Sequence, residues 1–178
     1  MDTWVTHLQQ RLSDVHAEEL DLDPLENRVF PAAQPAEISV ALSAVPAEAR
    51  GFFTDLYADC GGLELPDFRN GYFVASPSRL RTQLLNRSSL NPRMLKSDNE
   101  AEIVCFGSDG GGGLFAYRTG GYAGVWFLPV GEVTNGVFND IEVAICRVAN
   151  TAREFGERLV GDVEAFLERR DDWRYLGQ

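Results

Sequence analysis

Histidine is almost missing from this chain of 178 residues: His7 and His16 are the only two, and both lie near the N-terminus. Without cysteine or paired carboxylates at ligand spacing beside them, they do not compose a zinc site. Cysteine is nearly as scarce. Cys60, Cys105 and Cys146 form an odd set with no CxxC spacing, which predicts free buried thiols in a reducing compartment. No local signature pairs one of them with a histidine as nucleophile and base. No apolar run approaches the ~20 residues of a membrane span. The opening Met1-Asp2-Thr3-Trp4 has neither the basic nor the apolar part of a signal peptide, so the expected location is the cytoplasm.

Positive charge is also in deficit. Sixteen Lys and Arg stand against 27 Asp and Glu, a net charge of -11, which disfavours non-specific nucleic-acid binding and favours solubility or a basic partner. The imbalance is uneven: residues 1–50 hold nine acids and three bases, whereas 68–97 hold Arg69, Arg79, Arg81, Arg87, Arg93 and Lys96 and no acid. An electrostatically two-faced molecule is expected. The basic stretch reads as a solvated face or as internal salt bridging; its aromatics Phe68, Tyr72 and Phe73 suit stacking on bases, but the overall charge opposes it.

With 44% apolar residues, a chain of this length buries roughly 70% of its unfolded surface and needs no metal or disulfide to hold together. Trp4, Leu8, Leu12 and Val15 trace the stripe of a first amphipathic helix. An acidic connection (Asp14, Glu18, Glu19, Asp21, Asp23, Glu26) follows, and 1–34 reads as this helix and its tail ahead of a domain spanning 35–178. Between Ala36 and Ala44 strand and helix spacing compete. Pro46 opens a clearer helix with Ala49, Phe52, Phe53, Leu56 and Tyr57 inward, ended past Cys60 by Gly61-Gly62. Gly71 to Ala75 reads as a strand. Ser76-Pro77 then caps a helix with Leu80, Leu84 and Leu85 inward and Arg79, Arg81 and Arg87 outward.

Glu102 to Gly107, Leu114 to Arg118 and Gly124 to Val130 form an expected antiparallel meander, with Ile141 to Val148 as a fourth run. Thr151-Ala152-Arg153-Glu154 is a capping box ahead of a long helix through Phe155, Leu159, Val163 and Phe166. The order predicts a single α+β domain, a mostly antiparallel central sheet with helices packed on one side and amphipathic helices at both ends. How far Trp4 is covered stays open.

The run Gly107-Ser108-Asp109-Gly110-Gly111-Gly112-Gly113 invites comparison with phosphate loops and nucleophile elbows. Neither fits, because Leu114 onward continues as a strand and not a helix. A hairpin turn is the reading, with a ligand-contacting loop as the lesser alternative. Carboxylates are plentiful, but none is singled out as acid or base. No catalytic residue, metal site or cofactor follows, and the chain reads as a non-enzyme.

Three segments together resemble the SUKH superfamily, the Smi-one/Knr-four type of bacterial immunity and fungal regulatory proteins. They are Val45-Pro46 before the helix that closes at Cys60-Gly61-Gly62, Ile103 to Gly107 with Ser108 to Gly113, and Val148-Ala149 leading to Glu154-Phe155. The resemblance covers roughly 35–167. Val45 stands where the family usually has leucine, and Cys60 where it usually has asparagine. It implies a helix in Ala36 to Ala44, no catalysis and a protein partner: a cognate polymorphic toxin, often a nuclease, or alternatively a cellular regulatory target. An acidic protein suits the basic cleft of such a toxin. The candidate partner-binding residues are Asp59, Glu64, Asp67, Asp98, Glu100 and Asp109, expected in loops flanking one end of the sheet. Gly61, Gly62, Gly110 and Gly113 are expected to hold tight turns, with Asp109 capping its own loop amides.

Overall fold

The structure, a computed structural model, describes residues 3–14, 27–86, 88 and 91–176. Val15, His16, most of the acidic connection and Arg87 lie outside the described residues. Helix α1 spans Trp4–Asp14, strand β1 Arg28–Val29, α2 Pro35–Leu42, α3 Arg50–Asp59, β2 Leu63–Leu65, β3 Tyr72–Val74 and α4 Pro77–Leu85. Then come β4 (Met94–Leu95), β5 (Ile103–Ser108), β6 (Leu114–Arg118), β7 (Gly124–Leu128), β8 (Val133–Thr134), β9 (Val137–Phe138), β10 (Cys146–Ala149) and α5 (Ala152–Leu167).

Seven strands form one sheet in the order β1-β2-β3-β5-β6-β7-β10, every pair antiparallel. A small second sheet runs β4-β9-β8. The expected α+β fold with a central antiparallel sheet is the observed one. Alternation along the middle strands sends Val104, Phe106, Phe115, Tyr117, Val125 and Phe127 to the helical face. There Phe52 stacks on Tyr117 with ring centroids 4.7 Å apart, and Phe155 meets Phe106 and Phe115 edge-on at 5.3 and 5.4 Å. The opposite face presents Ile103, Ala116 and Leu128, which close a smaller cluster with Leu95 and Phe138 of the small sheet.

The segment that sequence periodicity left undecided is helix α2, opened by Gln34 and Glu37, whose carboxylate accepts from the Gln34 N–H at 3.0 Å. The Pro46 helix begins as a 3-10 turn, Ala47–Ala49, before α3 proper. Ser76 caps α4 as its sequence implies, accepting from the Arg79 N–H at 3.4 Å. Leu85, expected inward, is 56% exposed; Leu80 and Leu84 already fill the inner stripe, and the next residue is rotated ~100° around the helix. The fourth strand run shortens to β10. Ile141 is 65% exposed, because Asp140 turns the chain away and its carboxylate accepts from both the backbone N–H and the hydroxyl of Ser97. Strand β7 stops at Leu128, leaving Val130 exposed.

Helix α1 belongs to the main core. Trp4, Val5 and Leu8 are buried there, with Trp4 seated on Gly156 of α5, where any Cβ would overlap the indole. Thr151 accepts from the Glu154 N–H at 3.1 Å to start α5, while the Glu154 carboxylate reaches one residue further back, to the Asn150 N–H at 2.7 Å. No helix among the described residues is long and apolar enough to cross a membrane.

Candidate protein-interaction surface

Strand pairing fixes where each expected contact residue sits. Ile103 faces Arg118 at one end of the sheet, and Ser108 faces Leu114 near the other. Six strand residues at ~3.3 Å each put about 20 Å between the ends. Asp98 and Glu100 precede β5 at the Ile103 end; Asp109 leaves it at the Ser108 end, where the turn before β3 carries Asp67. Asp59 ends α3 beside a hollow lined by His7, Arg153 and Glu157, and Glu64 lies mid-strand opposite Phe73. The six residues therefore do not gather at one end, as their placement in sequence suggested.

Several of them are held by the protein itself. Asp109 Oδ1 accepts from the N–H groups of Gly111 (2.9 Å) and Gly113 (2.8 Å), the self-capped turn expected of it. Asp67 accepts from the Asn27 side chain at 2.5 Å. The predicted turn glycines act in two ways. Gly62 and Gly110 have φ of 127° and 69°, values that favour a residue without a Cβ. Gly61 and Gly113 are fixed by close approach, to the Pro31 carbonyl and the Phe127 ring. Cys60 donates from Sγ to the Gly62 carbonyl at 3.1 Å, and burial pushes its thiol up to about 11. It is a turn-holding group with little thiolate character.

At the Ile103 end a different set converges. The Asp98 carboxylate accepts from the Glu100 and Ala101 N–H groups (3.1 and 3.3 Å) and is salt-bridged to Arg118. The Arg118 hydrogen bond, followed by the backbone N–H of Glu100, holds the Asp98 carboxyl below its ordinary range. The Arg118 guanidinium lies 5.1 Å from the Tyr122 ring and 5.3 Å from the Trp126 ring. Trp126 Nε1 donates to the Tyr122 carbonyl at 3.1 Å. Thr119 ties its backbone and hydroxyl to Glu102, and the Gly120 N–H donates to Glu48 Oε2 at 3.1 Å.

The outcome is a fixed 3-10 turn, Gly120–Tyr122, whose tyrosine is 64% exposed, next to exposed Glu48, Glu100 and Glu102. An aromatic with a desolvated cation behind it and carboxylates at the same end of the sheet has the make-up of an interface anchor with a charged rim. Of this set the sequence analysis singles out Asp98 and Glu100, as proposed contacts, and not Glu48, Glu102, Arg118, Tyr122 or Trp126. The available signal was the Gly-Gly-Tyr turn between two strands, a place where an aromatic side chain has no core to enter.

The basic stretch forms no ion pairs among the described residues. Arg69 sits 4.2 Å over the Tyr175 ring, and Arg79 and Arg81 stay on the exposed side of α4. For Arg69, Arg79 and Arg81 the structure thus shows stacking and solvent exposure, and no internal salt bridge. Comparison with protein-family models gives no match to the chain, and comparison with curated proteins gives no significant one.

Proposed function

We propose that this chain is a non-catalytic protein-binding domain of the SUKH type, an immunity protein whose acidic sheet end occludes the basic cleft of a cognate polymorphic toxin such as a nuclease. The observation that carries the reading is that Glu48 is tied to the Gly120–Tyr122 turn, and that exposed Glu100 and Glu102 lie at the same end of the sheet as exposed Tyr122. Carboxylates at a rim steer a basic partner into contact, and a rigid aromatic supplies the desolvated centre that rim charges lack. The resemblance in Val45-Pro46, Cys60-Gly61-Gly62 and the Ser108 to Gly113 loop supports the class, and the charge of -11 supports a basic partner over nucleic acid.

The test is calorimetric titration with a toxin-like domain encoded beside this chain, at low and moderate salt. The reading expects tight 1:1 association that weakens as salt rises. Absence of binding overturns the immunity reading and leaves the regulatory module, for which a partner without toxin domains is the expected capture from native lysate.

A further inference from the structure

Side chains of helix α4 and of strands β3, β5 and β6 line a half-open pocket of about 140 Å³. Its floor is apolar: Phe73, Leu84, Cys105 and Leu114. Its polar groups are Arg79, Gln83, Asn91, Arg93 and Ser108, and no carboxylate among the described residues lines it.

Arg93 is placed by its backbone. Its N–H donates to the Gly136 carbonyl and its own carbonyl accepts from the Ile103 N–H, both at 2.8 Å. Its guanidinium rests against Gly136, where an added Cβ would come within 2.9 Å of Nη2. Neither Arg79 nor Arg93 has an ion-pair partner among the described residues. With no carboxylate partner among the described residues, exposed Arg79 and half-buried Arg93 are balanced by water or by a bound anion, and an apolar floor beside them selects an anion with an apolar body. The volume is close to the ~150 Å³ that admits a benzene ring. Cys105 contributes wall and no chemistry: Sγ donates weakly to the Pro92 carbonyl at 3.6 Å, and burial pushes the thiol up to about 12.

We propose that this pocket binds a small organic monocarboxylate with a body the size of one aromatic ring, the ring on Leu84, Cys105 and Leu114 and the carboxylate on Arg93 and Arg79. The pocket shares no lining residue with the set around Tyr122 and does not depend on the reading given to that set.

The probes are benzoate, benzyl alcohol with the same body but no charge, and acetate with the charge but no body, added to the full chain at constant ionic strength and followed by NMR. Benzoate is expected to saturate at millimolar concentration or below while shifting the Gly107 and Ser108 amide signals. The two partial probes are expected to bind at least roughly tenfold more weakly, as are R93Q and R79Q with benzoate. L84W, with a native far-UV spectrum confirming that it folds, is expected to abolish the shifts. Benzyl alcohol binding as well as benzoate, an R79Q/R93Q double variant binding undiminished, or no saturable benzoate shift at millimolar concentration would each overturn the proposal.

Discussion

Tyr72 donates a 2.7 Å hydrogen bond to Asp162 across 90 positions of sequence, joining β3 to the middle of α5. The same fully buried carboxylate accepts from Trp173 Nε1 at 2.8 Å and from the Leu176 N–H at 2.7 Å, so it also pins the C-terminal segment. Three donors on one buried acceptor make Asp162 a joint between sheet, helix and tail. D162A orphans all three and is expected to cost about 3 kcal/mol or more. That is a fall in Tm of about 6–12 °C for a domain of this size. D162N, whose amide oxygen still accepts, is expected to lose less. Urea denaturation of the three proteins checks the order, and a D162A loss under ~1 kcal/mol would show that the joint is dispensable.

Two aspartates give stability opposite pH dependences. Burial holds the Asp162 carboxyl above its ordinary value despite its three donors. Its contribution is complete below the unfolded value of ~3.9 and declines as pH rises through the raised folded one. Arg118 holds Asp98 low, so that contribution is present above ~3.9 and is lost as pH falls through the lower folded value. Across pH 3 to 7, the stability difference between wild type and D98N is expected to shrink toward acid. That between wild type and D162N is expected to shrink toward neutrality. Parallel curves would contradict both assignments.

Trp4 is 6% exposed and rests on Gly156. W4A is expected to cost ~3–5 kcal/mol. G156A, whose methyl group overlaps the indole, is expected to shift α1 off α5 and move the tryptophan emission to longer wavelength. Unchanged emission in a folded G156A protein would mean that α1 does not dock as described.

Asp109 is a test of structural against interfacial use. Losing its two loop hydrogen bonds in D109A is expected to cost ~1–2 kcal/mol, with D109N milder and the association rate with the toxin-like domain unaltered by either. A slower association for a fully folded D109N would return Asp109 to the interface.

What sequence could and could not disclose follows from the range of the interactions. Ser76-Pro77, the Phe52-Phe53-Leu56-Tyr57 face and the Gly110 turn are written within a few residues of one another, and each was legible. The small sheet was not: Met94–Leu95 pairs with Val137–Phe138 through two-residue strands too short to show periodicity. Asp162 carried a readable clue, a charge on the buried stripe between Leu159 and Val163, but its partners Tyr72, Trp173 and Leu176 are set only by the fold. The acidic residues can be counted from sequence but not grouped, because strand direction decides which loops share an end, and that depends on pairing.

The central claim is that Glu48, Glu100 and Glu102 act locally, around Tyr122, and not merely as part of a net charge of -11. The direct test is stopped-flow association with the toxin-like domain for E48Q/E100Q/E102Q and for a charge-matched control, E157Q/E168Q/D172N, on α5 and the tail. The first variant is expected to associate at least roughly tenfold more slowly at low salt and to lose most of its salt dependence, while the control stays near wild type. Equal slowing of both would reduce the effect to net charge and contradict a built acidic interface.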